Sequence, residues 1–160
     1  MITQDRLKEL FSYDAETGHL IWKKTGKGRP KSLLAGTEAP NGYIVINVDY
    51  KRYMAHRLVW LYHSGVLPEK DIDHINNNRA DNRIENLREA TRSENMQNEK
   101  KARSTNKNGL LGVSKNNGRW RAQIELNYKR THIGYFDTPE EAHAAYLAKK
   151  RELHPFQTIA

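Results

Sequence analysis

The stretch Ile72-Asp73-His74-Ile75-Asn76-Asn77-Asn78-Arg79-Ala80-Asp81-Asn82-Arg83-Ile84-Glu85-Asn86-Leu87-Arg88-Glu89-Ala90 decides how this chain is built. Ile72 to Ile75 reads as one short strand and Asn86 to Ala90 as a second. Between them, only Ala80 and Ile84 are apolar, so the segment predicts a hairpin with a polar, Asn-rich loop. Thr91 followed by Glu94 is a capping box, which predicts a helix starting near Arg92 with Asn95 in its first turn. Strand, loop, strand and helix should therefore converge on Asp73, His74 and Asn95.

Those residue types suit metal-assisted hydrolysis of a phosphodiester. Asp73 offers carboxylate oxygen, the ligand that Mg²⁺ and Mn²⁺ prefer. His74 titrates near neutrality, so its free base is available to take a proton from water. The amides of Asn86 and Asn95 can fix the groups around it. Adjacent strand residues point to opposite faces, so Asp73 and His74 stay together only if the strand end is irregular. A calcium loop starting at Asp71 fits poorly, with neither Gly at its sixth position nor Glu at its twelfth.

Working outward, the N-terminal segment predicts a helix over residues 3–12, capped by Thr3, with Leu7, Leu10 and Phe11 as its apolar stripe. A turn at 14–18 and a short strand at Leu20–Trp22 follow. Residues 23–32 form a basic loop. Asn41-Gly42 marks a turn before a strand over 43–48, and Tyr53-Met54-Ala55 leads into a helix over 56–64 that Gly65 ends. His56 opens that helix. It is expected to pack behind the hairpin, in a structural or phosphate-adjacent role.

Charge separates the two ends of the chain. Residues 1–99 hold 15 Lys/Arg against 14 Asp/Glu, whereas residues 100–160 hold 12 against 5. Nearly all of the net +8 thus lies in the C-terminal part, as expected for a surface that meets polyanions. There are no cysteines, which excludes disulfides and a thiolate zinc site. No run of 18 apolar residues is present, so no membrane span is expected, and an intracellular, cytoplasmic setting follows.

Residues 99–109 are basic and aperiodic, a predicted linker. Beyond them, Gly112 to Lys115 is a short strand, Asn117-Gly118 a turn, and Arg119 to Leu126 alternates between Arg, Arg, Gln, Glu on one face and Trp, Ala, Ile, Leu on the other. Asn127-Tyr128 reverses the chain into a third strand over 129–133, with Arg130 and His132 outward and Thr131 and Ile133 inward. Thr138-Pro139-Glu140-Glu141 then starts a helix to about residue 153, with Ala142, Ala145, Tyr146 and Leu153 toward the sheet. A small sheet showing Arg and Gln outward has the width of a β-ribbon that enters a DNA major groove. In that reading, Arg119, Arg121, Gln123, Glu125, Arg130 and His132 read bases or backbone, and Lys115 and Lys129 bind phosphate.

His56-Arg57-Leu58-Val59, Ile72 to Asn76, Asp81 to Arg88 and Glu94-Asn95 together resemble an HNH endonuclease of the homing, phage-borne type, over roughly residues 43–98. The resemblance implies a ββα-metal motif and cleavage of double-stranded DNA with one divalent ion, Mg²⁺ or Mn²⁺. It implies Asp73 and Asn95 as metal ligands, His74 as general base, and Asn86 as the catalytic-site asparagine that braces the loop and helps orient the base. Asn95 stands where the strict signature carries His.

Gly112-Val113-Ser114, Gly118 to Ile124, Ile133 to Thr138, and Glu140-Glu141-Ala142 with Ala145-Tyr146 resemble a plant-type Apetala/ethylene-response-factor DNA-binding domain, over about residues 108–154. That resemblance implies three strands and a helix, with the sheet in the major groove. Leu111 and Ser114 stand where the plant proteins carry Arg, and His132 where they carry Trp. The expected whole is an α+β protein. A nuclease domain (1–98) is followed by the linker and a DNA-binding domain (110–160) made of a three-stranded antiparallel sheet on one helix. The alternatives are a non-catalytic DNA-binding regulator with a degenerate nuclease fold and a nuclease selective for branched structures. No protein partner is evident.

Overall fold

A computed structural model describes residues 1–24, 32–98, 106 and 108–154. The basic loop read at 23–32 and the linker at 99–109 fall largely outside the described residues. The chain divides into two packed units, Met1–Ala90 and Thr91–Ala160. Together they carry several small antiparallel sheets and, among the described residues, four α-helices.

The first unit opens with α1 (Gln4–Leu10), whose first turn is capped by Thr3, its hydroxyl accepting from the Arg6 amide at 3.3 Å. The helix stops before Phe11. Phe11–Tyr13 is instead a strand, β1, paired antiparallel with β2 (Leu20–Trp22), with Phe11 opposite Trp22. The helical stripe predicted through Phe11 is thus cut short. A fully buried aromatic gains more by pairing and stacking on Trp22, ring centroids 4.1 Å apart, than by one more residue of helix.

A three-stranded sheet follows, built from β3 (Thr37–Glu38), β4 (Ile44–Val48) and β5 (Lys51–Met54). Asp49 and Tyr50 both take left-handed φ, giving the tight turn whose twist matches the flanking strands. Helix α2 (Ala55–Ser64) runs on from β5 and ends on Gly65 at φ 82°. The hairpin comes last: β6 (Asp71–His74) pairs with β7 (Leu87–Ala90), and a single 3₁₀ turn, Ile84–Asn86, precedes β7. Leu7, Leu10, Phe11, Leu20, Trp22, Ile46, Val48, Leu58, Val59 and Leu61 form the core, and Ile72 and Leu87 join the hairpin to it.

The second unit begins with α3 (Arg92–Gln97), whose capping box has the Thr91 hydroxyl accepting from the Glu94 amide at 3.3 Å, while the Thr91 amide donates to the Glu94 carboxylate at 2.7 Å. Strands β8 (Val113–Asn116), β9 (Arg119–Leu126) and β10 (Lys129–Phe136) form an antiparallel sheet in the order β10-β9-β8. Two-residue turns at Asn117-Gly118 and Asn127-Tyr128 join them, all four residues at positive φ. Helix α4 (Pro139–Leu153) has a second capping box, Thr138 with Glu141, and packs Ala142 and Tyr146 on Val113, Ala122 and Ile124.

The third strand is longer than its alternation predicted. A β-bulge between His132 and Gly134 absorbs Ile133 and shifts the register, and pairing then continues to Phe136. Thr131, read as inward, is exposed at the far end of the sheet.

Candidate functional site

In the first unit the site is the loop that β6 and β7 hold. Pairing is regular through His74, which lies opposite Leu87, while Asp73 lies opposite Arg88. The two side chains therefore leave the strand on opposite faces. Asp73 is buried and its Oδ2 accepts from Arg88 Nε at 2.9 Å and Nη2 at 2.8 Å. His74, 4 % exposed, turns toward the loop and the start of α2.

The loop is braced by its own amides. The Asn76 amide N–H donates to Asn86 Oδ1 at 2.9 Å, and Asn86 Nδ2 donates to Asn76 Oδ1 at 3.0 Å and to the Asp81 carbonyl at 2.8 Å. Asn77 takes φ 64°. Asp81 accepts from Arg83 through both oxygens, at 2.9 and 2.7 Å, and from Asn76 Nδ2 at 2.7 Å. Arg83 above all, with Asn76 adding, pulls the Asp81 carboxyl down to about 2. Tyr13 ties this loop to β1, its hydroxyl accepting from the Ile84 amide at 2.9 Å.

The group that orients His74 is Asn82. Its Oδ1 stands 3.2 Å from His74 Nε2, and its Nδ2 donates to the Ala80 carbonyl at 3.2 Å. With the amide nitrogen committed to Ala80, the oxygen faces the ring. That orientation favours the tautomer with its proton on Nε2. Sequence reading placed the bracing amide at Asn86, which holds the loop. Asn82, one of the polar residues of the predicted Asn-rich loop, holds the ring. Its signal was its place inside the loop, which cannot be told from a turn residue until its 2 % exposure is known.

His74 has a second neighbour in His56, which the sequence reading puts behind the hairpin without pairing it with His74. His56 meets it edge to face, ring centroids 5.2 Å apart, and Tyr43 stands 5.2 Å from His56 and 5.8 Å from His74. His56 is 7 % exposed, and its Nδ1 has no hydrogen-bond partner among the described residues. Burial, with the nearby His74 and Arg57 adding, pushes His56 down to about 3. Burial also lowers His74, against the opposing effects of Asn82 and Asp73. Both rings are therefore neutral near pH 7. The chemistry this arrangement can do is proton acceptance by a shielded, oriented imidazole.

Asp73 supplies oxygen of the type a hard cation takes. Among the described residues no group of three His, Cys, Asp or Glu side chains gathers as a metal-ligand set. Asn95 lies in α3, in the second unit.

In the second unit the register places Arg119, Arg121, Gln123 and Glu125 along one face of β9, away from the α4 side that Ala122 and Ile124 line. Arg130 lies opposite Glu125 and His132 opposite Gln123 on that same face. Arg130 Nε donates to Glu125 at 2.9 Å. The bulge adds Tyr135, which pairs with Arg121 and lies tilted against His132, ring centroids 4.8 Å apart. Period-two reading from Lys129 missed it, because one inserted residue inverts every later position. Lys129 is exposed at the start of β10. Lys115 pairs with Trp120 on the helix-packed side, its ammonium 5.7 Å from the indole, opposite Arg121 and Gln123.

Residues 53–97 match the model of a family described as HNH endonuclease. That segment spans the end of β5, α2, the hairpin and α3. A protein of Acanthamoeba polyphaga mimivirus described as an uncharacterized HNH endonuclease is 33% identical over 115 residues. The match covers 71% of this chain and 59% of that protein, so the chain spans less than two thirds of its relative's length. No solved structure matches the chain.

Proposed function

We propose that the chain is a divalent-metal-dependent DNA endonuclease of the homing type, with a nuclease domain in residues 1–98 and a DNA-binding domain in residues 110–160. His74 is the general base, taking a proton from water. Asn82 holds its ring, and Asn86 holds the loop around it. Asp73 and Asn95 are the candidate ligands of one Mg²⁺ or Mn²⁺. When bound, the ion supplies Lewis-acid stabilisation of the charge that builds on the phosphate. These two side chains would offer it oxygen, the donor type that Mg²⁺ takes.

The observation that carries this reading is His74 itself. A buried, neutral imidazole oriented by Asn82, next in sequence to a carboxylate on the other strand face, lies inside the segment that matches the HNH endonuclease family. The sheet face of Arg119, Arg121, Gln123, Glu125, Arg130 and His132 is the proposed reader of double-stranded DNA, in the manner of an Apetala/ethylene-response-factor domain. Lys129 is a phosphate contact at its end. Lys115 serves only a phosphate that wraps round the edge strand. No helix among the described residues is long and apolar enough to cross a membrane.

The Arg88–Asp73 ion pair favours a second reading, since the guanidinium already occupies the carboxylate oxygen that a cation would take. The chain would then be a DNA-binding regulator on a degenerate nuclease fold. Incubation with supercoiled plasmid across several divalent metals decides. The nuclease cleaves, and His74→Ala slows it by about 10²- to 10⁴-fold with DNA affinity unchanged. Cleavage by His74→Ala at the wild-type rate overturns the base assignment.

A further inference from the structure

The hairpin of the first unit carries three arginines near the site, and two of them are neutralised. Arg83 is bound to Asp81 at 2.7 Å, and Arg88 to Asp73 at 2.8 Å. Arg79 differs. Among the described residues it has no carboxylate partner. One nitrogen, Nη1, donates to the Asn41 carbonyl at 3.0 Å, and the guanidinium lies 4.9 Å over the Tyr43 ring. Neither a carbonyl nor a ring face cancels its charge.

Its placement is built rather than incidental. Asn77 at positive φ turns the loop back toward the Asn41-Gly42 turn. Gly42, also at positive φ, offers no side chain there. A Cβ on it would lie 3.8 Å from Arg79 Cβ and 3.9 Å from Cδ, so the arginine stem rests along the turn backbone. Tyr43, the ring beneath the guanidinium, is the same ring that stands 5.8 Å from His74. A planar cation with unused donors is thus held, exposed, one aromatic ring away from the candidate base.

The geometry points to Arg79 as a phosphate-binding residue that clamps the DNA backbone beside the bond attacked at His74. This rests on the nuclease reading above. A guanidinium fork matches phosphate oxygens two at a time, and one already oriented by Asn41 and Tyr43 loses little freedom on binding. Residues 1–99 are almost charge-neutral overall, so a cation with no carboxylate partner at this spot gives the duplex a local anchor beside the candidate base. A tether between loop and turn would need only the Asn41 bond. It would not need the charge left unneutralised.

The test uses the full chain on supercoiled plasmid with Mg²⁺ or Mn²⁺, comparing wild type with Arg79→Ala, Arg79→Gln and Arg79→Lys. Ala and Gln should lower kcat/KM by about 10- to 100-fold, the size of a lost charge-assisted contact. The slope of log kcat/KM against log salt should flatten by about 0.9, one phosphate contact. Lys should keep that slope and recover part of the rate, and melting temperatures should stay at the wild-type value. Wild-type cleavage by Arg79→Ala overturns the proposal. So does a loss with an unchanged salt slope and a lowered melting temperature in all three variants, which is the tether alone. A wild type that cuts no DNA with any metal overturns the nuclease reading, a failure distinct from these because it precedes any Arg79 comparison.

Discussion

Asn82 Oδ1 lies 3.2 Å from Nε2 of His74, and the same amide is anchored through its nitrogen on the Ala80 carbonyl. The ring is thereby held in one orientation by a residue eight positions along the chain. Loss of this contact should act on turnover and leave binding alone. We expect Asn82→Ala to lower kcat by about 10-fold or more with KM unchanged, the usual scale for a partner that orients a working histidine. Asn82→Asp keeps the acceptor but adds charge, which raises the His74 pKa. Its acid limb in a pH–rate profile should move to higher pH than that of wild type. Coincident profiles would show that Asn82 does not govern the base.

The buried His56–His74 pair makes folding depend on pH. His56 is pushed down to about 3 in the folded chain and titrates near its ordinary value when unfolded. Between about 6.5 and about 3 the unfolded chain binds a proton that the folded chain refuses, so stability rises with pH across that window. The contribution is complete above it and is lost as pH falls through it. His74 is lowered too and acts in the same direction. His56 alone should contribute a slope of at most about 1.4 kcal/mol per pH unit, measured as urea unfolding at several pH values. His56→Asn should unfold with a shallower slope, and an equal slope would contradict the assignment.

Gly18 backs directly on the site. It takes φ 75°, and a Cβ there would collide with the backbone nitrogen of Arg83 and the carbonyl carbon of Asn82. Backbone cannot step aside as a flexible side chain can. Gly18→Ala should therefore cost about 2–4 kcal/mol by thermal or urea unfolding, combining left-handed strain with a main-chain clash. Because the displaced segment carries Asn82, cleavage should fall even at temperatures where the variant is folded.

The outward face of β9 should dominate duplex affinity. In a gel-shift or filter assay with the full chain, Arg121→Ala should weaken binding by about 10-fold or more, the range for an arginine that contacts a base or phosphate. Lys149→Ala, on α4 and already bonded to Glu152 at 2.7 Å, should change little. Equal losses in both would move the interface off the sheet. Tyr135→Phe removes the hydroxyl that accepts from Asn116 Nδ2 at 3.1 Å and tests whether the bulge contributes to recognition. Affinity should drop measurably with melting temperature unchanged.

Much of this molecule is written in short-range signals. Thr3, Thr91 and Thr138 cap their helices because each hydroxyl reaches an amide three residues on, and Asn-Gly and Gly65 turn the chain where only left-handed residues fit cheaply. Alternation from Arg119 to Leu126 separates a charged face from a packed one. Asp73 and His74 announce their chemistry by type. What the tertiary structure decided was which groups meet. Phe11 left the helical pattern because stacking on Trp22 was worth more than local propensity. One bulge at Ile133 turned Tyr135 outward, which no period-two reading can foresee. Asn82 rather than Asn86 reached the imidazole, and His56 came from a different element to face it. Contacts of that kind depend on loop path and register summed over the whole fold. They become visible only when the packed chain fixes which side chains share a few ångströms.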